Sequence, residues 1–171
     1  MYAATPTFST FKLILAHALN NDFSMYIGDA STAFLHASVI QPTYVSPPED
    51  YQTDSKEKVV WKLKRAMYGL KSSPKSWQEH LKEVLQEIGL QQMKSDSCLF
   101  SSADRQAYVI VYVDDLLIAG HTKVMVIKII AAVRQKVLFK EVGWLQPGTL
   151  TALSRSRSHP PWQLNLNVGG Q

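Results

Sequence analysis

Residues 110–120 read Ile110-Val111-Tyr112-Val113-Asp114-Asp115-Leu116-Leu117-Ile118-Ala119-Gly120. Apolar runs lie on both sides of two adjacent acids, so a stretch that would otherwise be fully buried is interrupted at its middle by charge. The pattern predicts strand, tight turn, strand, with Asp114 and Asp115 at the tip.

Two carboxylates at one tip disfavour each other's ionisation unless a cation sits between or beside them. Hard oxygen donors select magnesium or manganese, and such sites complete their shell with water and substrate phosphates. Two divalent ions on acids of this kind suit phosphoryl transfer, one activating a hydroxyl and the other stabilising the leaving group. An acid pair in a turn is on many surfaces no more than a solvated turn. Here the flanking apolar strands hold the pair against a core.

Outward from the hairpin, Ser97 to Ser101 predicts a preceding strand, joined through the polar Ala103 to Gln106 connection to the run Tyr108 to Ala119. Val124 to Phe139 predicts a final helix with a basic face of Lys128, Arg134, Lys136 and Lys140. Upstream, Phe8, Phe11, Leu13, Ile14, Leu15, Ala18 and Leu19 recur at three- and four-residue spacing and predict an amphipathic helix over 7–21. Phe23 to Asp29 predicts a short strand that delivers Asp29 at its end. Pro42, Pro47 and Pro48 mark 41–54 as loop, and Val59 to Leu63 predicts a strand. After Gly69, Ser72 or Ser73 can cap a helix with Pro74 in its first turn, Trp77, Leu81, Val84, Leu85 and Ile88 as its core stripe, and Gly89 as its stop.

The 171 residues are 46% hydrophobic and carry a formal net charge of +4. That suffices for one domain with a real core, and the mild basic excess fits an acidic partner such as nucleic acid or solubility alone. The single cysteine, Cys98, excludes an internal disulfide and reads as a buried thiol in a reducing, intracellular setting. No apolar run approaches the roughly 20 residues of a membrane span, and no leader-like N-terminus is visible, so no membrane partner is expected. The compartment, cytoplasmic particle or nucleus, stays open.

Tyr112-Val113-Asp114-Asp115 resembles the Tyr-x-Asp-Asp signature of reverse transcriptases, and the run to Gly120 resembles its copia-type form. Asp29-Ala30-Ser31-Thr32-Ala33-Phe34-Leu35-His36 is similar to the family's first catalytic segment. Leu63 to Trp77, with Met67-Tyr68-Gly69-Leu70-Lys71-Ser72-Ser73-Pro74-Lys75-Ser76-Trp77 at its end, resembles the copia-type Leu-Tyr-Gly-Leu-Lys-Gln-Ser-Pro-Arg-x-Trp segment. The resemblance implies a copia-type retrotransposon reverse transcriptase, an RNA-directed DNA polymerase from a Pol polyprotein. It implies catalytic, metal-binding Asp29, Asp114 and Asp115 with two Mg2+ (or Mn2+) ions. Substrate would be bound by Phe34, Tyr112, Gly69, Leu70, Lys71, Ser73 and Pro74, with Phe34 excluding the ribose 2′-hydroxyl. Plain packing is the other reading of Phe34, and a solvated helix start that of Lys71 and Lys75. Trp77 is assigned to the core, and Asp96 to a turn or cap. Partners implied are an RNA or DNA template with primer, deoxynucleoside triphosphates, and the integrase and ribonuclease H of the polyprotein.

The fold expected is α/β (α+β), a reverse-transcriptase palm with a split β-α-β antiparallel sheet and helices packed on one face. Residues 1–147 form the partial domain, palm with part of the fingers, and 148–171 a divergent, disordered tail. Ser72 and Lys75 stand where the pattern has Gln and Arg. Neither the fingers segment before the first helix nor a Phe-Leu-Gly strand after Gly143 is recognisable, and from about Thr149 the residues look like another reading frame. A truncated copy is therefore expected, either active or a silent remnant that keeps the fold. An RNA-binding module of similar sheet topology is the alternative from another class.

Overall fold

The computed structural model describes residues 4–51 and 59–145. In chain order these form α1 (Phe8–Asn20), β1 (Ser24–Ala30), α2 (Ala33–His36), β2 (Tyr44–Val45), β3 (Trp61–Lys62), α3 (Ser73–Glu87), β4 (Leu90–Gln92), β5 (Leu99–Ser102), β6 (Ala107–Tyr112), β7 (Asp115–Gly120), α4 (Lys123–Arg134) and β8 (Phe139–Trp144). The expected tail, 148–171, lies outside the described residues.

Six strands make one sheet in the order β4-β5-β6-β7-β1-β8, every neighbouring pair antiparallel, and β2 and β3 pair apart from it. The central strands are apolar at nearly every position, as strands buried on both faces are. Tyr26, Val109, Val111, Leu116 and Ile118 face Trp77, Leu81, Val84 and Leu85 of α3 and Val126, Ile130 and Val133 of α4. The alternate residues Met25, Ile27, Ile110, Leu117 and Ala119 face Phe11, Ile14, Leu15 and Ala18 of α1. Helices thus cover both faces, which corrects the one-face expectation. A sheet apolar on both sides cannot leave one of them to water, since each fully buried large side chain contributes about 1.5–3 kcal/mol.

α1 starts at Thr7, whose hydroxyl accepts the Thr10 amide at 3.1 Å. The buried Asp96 carboxylate then accepts the Thr7 amide at 3.0 Å and the Cys98 amide at 2.9 Å, tying this helix end to the turn before β5. Asp96 is the turn residue the sequence assigns. Cys98 is buried, and burial with the nearby Asp96 charge pushes its thiol up to about 11, so it is inert as expected.

Two local expectations need correction. Neither Ser72 nor Ser73 caps α3 with its side chain: Ser73 Oγ turns back into the preceding loop, donating to the Met67 carbonyl at 2.6 Å and accepting its amide at 3.2 Å. The last helix ends at Arg134, not Phe139, which instead opens strand β8 on the free side of β1. The reason is Gly28, which lacks a Cβ. The Phe139 ring occupies the space where one would stand, only 2.0 Å from Cζ. Gly89, with φ +88°, ends α3 as expected.

Candidate active site

The β6–β7 register pairs Tyr112 with Asp115, leaving Val113 and Asp114 as a two-residue loop. Such loops need positive φ to match strand twist, and Val113 supplies it at 54°. A β-branched residue there is strained by about 1–3 kcal/mol, a cost borne only where surroundings hold it. Two hydrogen bonds do so. The buried Trp77 of α3 donates its indole N–H to the Val113 carbonyl at 2.6 Å, and the Ala30 amide donates to the Asp114 carbonyl at 2.7 Å.

Only Asp114 sits at the tip, whereas both acids were expected there. Asp115 is the first residue of β7, directly opposite Asp29, the penultimate residue of β1. Cross-strand partners share a sheet face with Cβ atoms about 4.5–5.5 Å apart. The three acids are all partly buried. Burial first, then Asp29 and Asp114, raises the Asp115 carboxyl to about 6. Burial and then Asp29 raise Asp114 as well, its own backbone hydrogen bond opposing.

The donor set is hard oxygen in a like-charged, half-buried cluster, which fits magnesium or manganese. Among the described residues no three His, Cys, Asp or Glu side chains are gathered closely enough to enclose an ion. A cation here would take part of its shell from water and substrate phosphates, as magnesium commonly does.

Other expected residues surround this cluster unevenly. Phe34, on α2, packs against the core from its partly buried side and against Tyr68 on the other, ring centroids 4.6 Å apart. α2 is held by the Arg65 guanidinium on the His36 carbonyl at 2.7 Å and by the Leu138 amide on His36 Nε2 at 3.2 Å. Tyr112 is partly buried beside Asp115. Gly69 has φ +94° with open space where a Cβ would lie, so its left-handed backbone is what requires glycine. Leu70 and Pro74 are partly buried and Lys71 is exposed, while Ser73 braces the loop through Met67. Lys75 pairs with Glu79 at 3.7 Å on the surface, a contact worth little.

Two residues outside the expected set belong here. The Tyr68 phenol is raised by burial and by the Asp114 and Asp29 charges, which places an exposed ring beside the carboxylates. The signal was its place just before Gly69. Trp77, assigned to the core by its spacing, is core and also pins the Val113 turn; periodicity marks the buried face and says nothing of the indole nitrogen.

Residues 2–147 match the family model described as reverse transcriptase (RNA-dependent DNA polymerase). The chain belongs to this reverse transcriptase family. Among its relatives are a transposon Ty5-1 protein of Saccharomyces cerevisiae, 38% identical over 54% of this chain and 30% of that protein, and the retrovirus-related Pol polyprotein from transposon RE2 of Arabidopsis thaliana, 29% identical over 78% of this chain and 9% of the polyprotein. The corresponding polyprotein from transposon TNT 1-94 of Nicotiana tabacum is 28% identical over 79% of this chain and 10% of its own length. The reverse transcriptase is of the copia type that the motifs imply, and the chain spans less than a third of each of these relatives. No helix among the described residues is long and apolar enough to cross a membrane.

Proposed function

We propose that this chain carries out template-directed nucleotidyl transfer as the palm of an RNA-directed DNA polymerase. The observation that carries the reading is the register pair Asp29–Asp115 with Asp114 hydrogen-bonded through its main chain to the next residue, Ala30. The order β6-β7-β1-β8, with α3 ahead of β6 and α4 between β7 and β8, supports a split β-α-β palm, with β4 and β5 added at one edge.

Asp29 and Asp114 would hold two Mg2+ or Mn2+ ions and Asp115 would support them. Bound there, such ions lower the pKa of an attacking 3′-hydroxyl and neutralise a leaving pyrophosphate. The chain's own groups position the substrates. The Phe34–Tyr68 ring pair forms a wall beside the acids that can exclude a ribose 2′-hydroxyl, and Tyr112 supports the primer side. Gly69 and Leu70 shape the loop against base and template, and the exposed Lys71 meets phosphate. The partners are a primed RNA or DNA template, deoxynucleoside triphosphates, and the integrase and ribonuclease H regions of a Pol polyprotein, inside the cell. The RNA-binding alternative loses ground because both faces of the six-stranded sheet carry helices, leaving no open sheet surface among the described residues on which bases could stack.

Primer extension by the full chain with magnesium and with manganese tests the reading. Extension that drops about a hundredfold or more in Asp114→Asn, the rate equivalent of the several kcal/mol a catalytic metal contributes, supports it. A wild-type chain that extends no primer under either metal is the silent remnant.

A further inference from the structure

We propose that Trp77 is a positioning residue for the Asp114 turn: its indole N–H holds the Val113 carbonyl and so fixes the main chain that aims the acid. The inference rests on the reading of Asp29, Asp114 and Asp115 as catalytic carboxylates.

Trp77 is 1% exposed on a helix whose other buried positions are Ser73 and Ser76 in the first turn and the apolar Leu81, Val84 and Leu85. For packing alone a ring without a nitrogen would serve, and a buried indole N–H demands an acceptor. The acceptor is 36 residues away in sequence, at 2.6 Å, on the carbonyl of the one residue in the hairpin whose backbone is strained. Left-handed conformations at non-glycine residues persist where neighbouring structure over-determines them. Here the next carbonyl, that of Asp114, is also held, by the Ala30 amide. Consecutive peptide groups are therefore held by two different elements, one by α3 and one by β1. Without the indole N–H, Val113 is free to leave φ 54°, the peptide between it and Asp114 rotates, and the Asp114 side chain turns away from Asp29. The link from helix to catalytic strand then runs from Trp77 to Val113 to Asp114 to Ala30, the neighbour of Asp29.

Trp77→Phe removes the N–H and keeps most of the apolar ring. Amide hydrogen exchange in the full, metal-free chain reads the turn directly. Exchange at Ala30 relative to Ile118 is expected to rise about tenfold, because the hydrogen bond from Ala30 to Asp114 opens while the sheet centre holds. A purely packing role would accelerate both amides together, and an unchanged ratio overturns the proposal. Should the Phe variant fail to fold, benzothienylalanine at position 77 keeps the bicyclic shape without the N–H and carries the same expectation. In primer extension, kcat should fall about tenfold with the KM for nucleotide within about twofold, as expected for a group that acts through Asp114 and touches no substrate. If wild type extends no primer the catalytic reading fails, and the exchange ratio still decides whether Trp77 holds the turn.

Discussion

Asp29 stands directly opposite Asp115 on the neighbouring antiparallel strand, a like-charged pair at a position where cross-strand charges repel. The fold keeps two half-buried acids face to face and adds Asp114 beside them, so the site is less stable than its surroundings allow. Stability given up at a cluster of carboxylates is recoverable when a cation binds the folded state alone.

The first prediction follows from that repulsion. In the folded chain the Asp115 carboxyl is raised to about 6, well above its unfolded value, so its protonation favours the folded state. This contribution is fully present below about pH 4 and is lost as pH rises through about 6. Asp115→Asn should therefore stabilise the metal-free protein at pH 7.5 by about 1–2 kcal/mol and far less at pH 4, while abolishing primer extension. Urea denaturation at the two pH values checks it, and equal effects at both would refute the assigned cause.

Asp96 predicts the opposite slope. Burial would raise its carboxyl, but hydrogen bonds from the Thr10 side chain and from the Cys98 and Thr7 amides outweigh it and hold the group below the ordinary range. A depressed carboxyl contributes stability that is present above its unfolded pKa, near 4, and is lost as pH falls through the folded value. Asp96→Ala leaves the Thr7 and Cys98 amides without their acceptor and should cost about 1–3 kcal/mol at pH 7, with the difference from wild type shrinking in acid. Thermal unfolding across pH 2–7 measures both.

How much of this was legible in the sequence depends on what sets each feature. The hairpin 110–120 was legible because an apolar run broken by two acids has few other solutions, and Asp29 was legible through its segment. The placement of Asp115 inside the strand was not, since loop length depends on where Val113 can take positive φ, and that depends on Trp77. The end of α4 was missed because 124–139 holds neither Gly nor Pro and Val137 continues the spacing of Val126, Ile130 and Val133, which carried the helix on to Phe139. The actual partner of Phe139, Gly28, lies 111 residues earlier, and no local pattern reports such a contact. The cover on the second sheet face was implicit in the apolar runs at 23–29 and 108–119, which lack the alternation of a one-faced sheet.

Gly28 yields a prediction from that contact. A methyl group at position 28 would stand 2.0 Å from Phe139 Cζ and 2.4 Å from Cε1, closer than any real contact. Gly28→Ala should destabilise by about 1–3 kcal/mol as the ring is forced aside, and because among the described residues β8 pairs with β1 alone, the loosening should appear first as faster amide exchange in 139–144. A second change, Phe139→Leu, should recover part of the loss in the double variant. Additive losses in that cycle would mean the ring and the glycine do not meet.

Phe34 sets the last prediction, through its position between the core and Tyr68. Its ring is held from behind by packing and in front by the Tyr68 ring at 4.6 Å, whose phenol senses both Asp114 and Asp29. A wall fixed on both sides can reject a substrate by steric clash, whereas a ring that only fills the core cannot discriminate between sugars. Phe34→Ala should then raise ribonucleotide incorporation relative to deoxynucleotide by about tenfold or more while leaving the deoxynucleotide rate comparatively unaffected. Tyr68→Ala, which removes the front support, should move the ratio in the same direction by a smaller factor. Competition assays with matched ribo- and deoxynucleoside triphosphates on one primed template read the ratio. If both variants lose the two activities in parallel, Phe34 is a packing residue and sugar selection lies elsewhere in the site.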